Sequence, residues 1–82
     1  MTWNYRICHR PSVAGSGYCI HEVYYDSKGR IEMITERPMT PNGDVPDDLY
    51  EDMALMWKAF DDEPINLDYM DKLLKRVKGK SQ

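Results

Sequence analysis

Long apolar runs are missing from this chain: nowhere in its 82 residues does one approach the ~20 residues needed to cross a bilayer, and nothing resembles the apolar core of a secretory leader. A cytoplasmic location without a membrane partner is the expectation. Positive charge is also short. A formal net charge of -3 argues against direct nucleic-acid binding, which needs a cationic surface to displace counterions from phosphates. No Gly-rich phosphate loop, nucleophile elbow or paired-carboxylate motif is present, so the chain reads as no enzyme, with no catalytic residue and no cofactor. Internal repeats and low-complexity tracts are absent as well.

What is there fits one small domain spanning residues 1–82. A chain of this length buries only roughly 60 % of the surface its unfolded state exposes, which limits spare stability. Charge is unevenly spread. Between Asp44 and Glu63 stand eight acidic residues against one Lys, whereas Lys72, Lys75, Arg76, Lys78 and Lys80 form a basic end after Asp71. The two regions are expected to attract each other within one chain or between copies.

Period-two alternation and β-favouring residues predict a three-stranded antiparallel meander over residues 3–37, with strands at Trp3–His9, Tyr18–Tyr25 and Arg30–Arg37. The Arg10–Gly17 loop closes the first hairpin with Ile7 opposite Ile20, Cys8 opposite Cys19 and Arg6 opposite His21. Asp26-Ser-Lys-Gly29 specifies a type I turn with a G1 bulge, which pairs Tyr25 with Ile31, Val23 with Met33 and Glu22 with Ile34. One face then carries Trp3, Tyr5, Ile7, Tyr18, Ile20, Tyr24 and Ile34 as the natural core. The other carries Cys8, Cys19, Val23, Tyr25, Ile31 and Met33 among Arg6, Arg10 and His21.

Pro38, Pro41 and Asn42-Gly43 end the sheet. A long helix is predicted over 46–61, with Pro46 in its first turn and Asp47 and Asp48 at the positive end of its dipole. Its stripe of Leu49, Met53, Met56 and Phe60, widened by Tyr50, Ala54 and Trp57, should lie across the Trp3/Tyr5/Ile20 side. Asn66 can cap a short second helix over 67–78, in which Leu67, Met70, Leu73, Leu74 and Val77 recur at helical spacing. That helix is expected at the sheet edge, and residues 79–82 as a frayed tail. The fold class is therefore α+β, in the order βββαα, with one sheet face left for a partner.

Cys8, Cys19 and His21 share a face in this register. They read as small apolar side chains in a reduced compartment, as a cross-strand disulfide, or as part of a metal or redox module, although zinc normally takes four protein ligands. Paired with Cys19 or Glu22, His9 or His21 would make a nucleophile and base, but His21 and Glu22 are consecutive in a strand and point to opposite faces. The aromatic residues are assigned to packing rather than to base stacking. Tyr25, beside Arg6, Arg10 and His21, is the exception and the leading contact residue. Asp47, Asp48, Glu51, Asp52, Asp61, Asp62 and Glu63 read as solvated helix charges, or as a surface offered to a basic partner in the manner of a phosphate mimic.

The string Trp3-Asn-Tyr-Arg6, followed by Ile20-His-Glu-Val-Tyr-Tyr-Asp26, Gly29, Thr35-Glu36, Pro38 and Gly43, resembles a family of short bacterial proteins that carries no established activity. The order strand, strand, strand, helix, with Gly43-Asp44 leading into Asp47-Asp48-Leu49, is similar to the N-terminal domain of HicB-type antitoxins. That resemblance implies toxin binding and operator binding. The Pro-Asp-Leu-Pro-Gly segment usual in those antitoxins is not found here, nor is their DNA-binding extension. The expected function is a small non-catalytic protein-binding or regulatory module with a partner contact set of Tyr25, Ile31, Met33, Arg6 and His21, and the Tyr25/Ile31/Met33 side is the surface through which two copies would pair. One alternative is a phage or mobile-element inhibitor, of the anti-CRISPR kind, that presents the acidic band to a nucleic-acid-binding enzyme. The other is the metal or redox module.

Overall fold

Two eight-residue segments rich in aromatic and β-branched residues pair as β1 (Thr2–His9) and β2 (Tyr18–Tyr25). Their antiparallel register joins Ile7 to Ile20, Cys8 to Cys19 and Arg6 to His21, as alternation predicts. The computed structural model describes residues 2–80, and side chains for residues 2–74, of an α+β protein. Its sheet has four strands in the order β3-β2-β1-β4, one more than the predicted meander.

Asp26 builds the second turn. Its carboxylate accepts the backbone N–H groups of Lys28 and Arg30, each at 2.9 Å, while Gly29 takes the positive φ of 78° that a side chain would resist. The Arg30 contact is the main cause holding the Asp26 carboxyl below its usual range. Tyr25 meets Ile31 as expected, but a bulge then leaves Glu32 without a partner, so that Tyr24 meets Met33 and Val23 meets Ile34. Met33 and Ile34 therefore exchange the faces predicted for them. β3 is also shorter than predicted, covering Ile31–Ile34.

The chain next follows the outer edge of β2, where the Met39 N–H donates to Ile20 O at 2.8 Å, and then crosses toward the following helix, where the Asn42 N–H donates to Asp52. Gly43 lies so close to the following helix that a Cβ there would collide with the backbone of Asp48 and Leu49. Helix α1 (Pro46–Trp57) has Val45 at its N-cap without a side-chain cap and Pro46 at the start, and a 3-10 turn continues it over Lys58–Asp61. Instead of lying flat on the sheet, α1 meets it through one end. Met56 and Ala59 are buried with Tyr5, and Ile7, Ile20 and Met39 pack around them. Leu49, Met53 and Phe60, predicted to face the sheet, are exposed, while Met39 packs against the Tyr5, Met56 and Ala59 cluster.

Ile65–Asn66 forms β4, parallel to Cys8 and His9 of β1. The Asn66 side chain accepts the Tyr69 N–H at 3.1 Å and so caps α2 (Leu67–Lys80), as its residue type predicts. Expected to be short and at the sheet edge, α2 is the longer helix and packs on the second face. Leu67, Met70 and Ile65 join Cys8 and Val23 in a buried cluster, with Tyr25, Ile31, Ile34 and Leu74 around it. The cause is the launch point: two residues of parallel pairing beside β1 direct the next helix across Cys8 rather than past the edge. Of the predicted frayed tail, Gly79 and Lys80 are the last residues of α2, and residues 81–82 lie outside the described residues.

Candidate functional site

The second face is closed by the chain itself. Val23 and Cys8, 0 % and 1 % exposed, are its most buried side chains. Arg6 fastens the linker ahead of β4, donating to Glu63 O at 2.8 Å and to the Tyr25 hydroxyl at 3.2 Å, and Tyr25 in turn donates to Asn4 at 2.9 Å. The Arg6 Nε stands 3.8 Å from Asp62, beyond hydrogen-bond range. Arg10 reaches Asp71 at 2.6 Å and Asp68 at 3.2 Å, and Ser12 donates its hydroxyl and backbone N–H to Asp68, each at 2.8 Å. These Ser12 bonds, followed by Arg10, hold the Asp68 carboxyl below the ordinary range.

The contact set expected on that face is thus redistributed. Arg6 and Tyr25 tie the linker to the sheet, Ile31 packs against the Cys8 and Val23 cluster, and His21 is buried with its Nδ1 2.8 Å from Thr35 O. Met33 is exposed on the opposite face. Cys8 and Cys19 are free thiols although they stand directly opposite each other. Burial pushes the Cys8 thiol up to about 11, against the opposing pull of Arg6. Among the described residues no group of three or more His, Cys, Asp or Glu side chains is placed to hold a metal ion.

The acidic band is split. Asp47, Asp48, Glu51 and Asp52 lie within α1, whereas Asp61, Asp62 and Glu63 follow its far end, roughly 20 Å from Asp47 and Asp48 at 1.5 Å per helical residue. Asp52 is also partly committed to holding the helix, since it accepts the Tyr5 hydroxyl at 2.6 Å and the Asn42 N–H at 2.9 Å. Burial, and then this carboxylate, raise the Tyr5 phenol far above its ordinary range. Glu22, which accepts the Tyr24 hydroxyl, faces Asp48, Glu51 and Asp52 across a cleft of about 570 Å³.

Beside that cleft the first face opens into an apolar groove of about 510 Å³. Ile7 and Ile20 line its sheet side, Pro38 and Met39 one flank, and Met53, Met56, Trp57 and Phe60 the helical flank. Tyr18, stacked on His9 with ring centroids 4.8 Å apart, stands at its end. Trp57 and Phe60 are 72 % and 60 % exposed although their rings lie 5.2 Å apart. These are the site residues that sequence reasoning assigned to the core. The signal was the breadth of the α1 stripe, wider than one contact with a sheet covers. Among the described residues no helix is long and apolar enough to cross a membrane. No family model, no curated protein and no solved structure matches the chain.

Proposed function

We propose that the protein is a small non-catalytic protein-binding module that docks its partner on the outer face of α1 and the 3-10 turn. The observation that carries this reading is the exposure of Trp57 and Phe60 at the lip of an apolar groove. Isolated exposed apolar side chains are ordinary, but a contiguous apolar patch with two large aromatics and Met53 is the composition of an interface core. The reading assigns no catalytic residue and no cofactor. Tyr25, Ile31 and Met33 do not form one pairing surface, because the first two pack against the buried Cys8 and Val23 cluster and Met33 lies on the other face.

Photocrosslinking tests the docking reading. A benzophenone side chain at position 57 is expected to yield a discrete protein adduct in the protein's own cells, lost when Met53→Glu is added. The same group at exposed position 32 should yield none. Equal labelling from both positions, or no discrete adduct from position 57, would overturn it.

A further inference from the structure

We infer that the groove takes the apolar edge of a basic amphipathic helix carried by a partner protein. This rests on the docking reading above and names the occupant. The floor of the groove offers no free strand edge, since Ile20 O is already paired with the Met39 N–H. An added strand therefore finds no ladder there, whereas side chains at helical spacing find a pocket. Met39, Met53 and Met56 give that pocket adaptable thioether walls suited to helical ligands.

Charge selects the kind of helix. Asp47, Asp48 and Glu51 stand at one end of the groove's helical wall and Asp61, Asp62 and Glu63 at the other, with Lys58 the one cation between Asp44 and Glu63. The acidic cleft adjoins the groove and shares Pro38 and Met39 with it. A Lys or Arg flanking the partner's apolar edge would reach Glu22 or Glu51 there. A second copy fits poorly. Antiparallel packing of two α1 helices sets the Asp47 end of one against the Asp61 end of the other, and parallel packing sets each acidic end against itself. The same carboxylates repel nucleic acid and anionic lipid.

The test titrates the Trp3→Phe protein, in which Trp57 is the remaining tryptophan, with two amphipathic peptides of about 15 residues. Both share a leucine face, and the polar face is lysine in one and glutamate in the other. Saturable binding of the lysine peptide is expected, with a blue shift of Trp57 fluorescence and at least about tenfold weakening between low and high salt. Met53→Glu should abolish this binding even though it adds negative charge. Equal binding of the two peptides, or preference for the glutamate peptide, would overturn the basic occupant while leaving the docking reading to the crosslinking result. Undiminished binding by Met53→Glu would show attraction outside the groove and overturn the inference as well. So would failure of the lysine peptide to bind.

Discussion

The two faces of one sheet each receive an amphipathic helix and end in opposite states, the more apolar helix being the less buried one. On the second face α2 arrives directly from β4, and Val23 and Cys8 are sealed beneath Leu67 and Met70. On the first, Met39 packs beside α1, and the helix and its 3-10 turn bury only Met56 and Ala59 against the sheet. The contrast teaches that an apolar stripe on a helix does not by itself decide how much of it is buried: α1 and its 3-10 turn keep Met53, Trp57 and Phe60 exposed beside a groove.

Val23→Ala should cost roughly 2–3 kcal/mol, a large share of the stability of so small a domain, read as a lower urea midpoint. A cost near zero would mean that α2 does not pack there. Gly43→Ala should cost about 1–2 kcal/mol by the same measurement, because its Cβ meets backbone that cannot rotate away. Unchanged stability would mean that the crossing segment is not wedged against α1.

Titration sharpens the contrast further. A thiol raised to about 11 contributes stability that is fully present below its ordinary pKa near 9 and is lost as pH rises through about 11. The urea midpoint should therefore fall over that window, less steeply in Cys8→Ala. Equal slopes would show that Cys8 ionises freely. For Asp68 the sign reverses, since its lowered pKa gives stability that is present above about 4 and lost as pH falls through the lowered value. Ser12→Ala should lower the thermal midpoint slightly at pH near 6, with the gap from the parent narrowing in acid. A gap that widens in acid would contradict the assignment.

Much of the sheet was legible from residue types. Alternation and the Asp26–Gly29 turn determine the first hairpin and the start of the second, and Asn66 marks the start of α2 by its capping chemistry. The bulge at Glu32 has no local signature, because Ile31-Glu-Met-Ile34 alternates equally well in either register, and so Met33 and Ile34 were placed on each other's faces. β4 is only two residues long, too short for any periodic signal, yet it decides which face α2 covers. The groove was half legible. Met53, Trp57 and Phe60 stand out as an apolar stripe in the sequence, but periodicity reports that a face is apolar and not what lies against it.

The most direct measurement is the urea unfolding of a Trp57→Gln, Phe60→Gln double variant. If the outer face of α1 is surplus to the fold, the midpoint should match the parent's to within about 0.5 kcal/mol per site, as for other exposed substitutions. A loss comparable to that of Val23→Ala would show that these aromatics hold the chain together, and would contradict an open docking face.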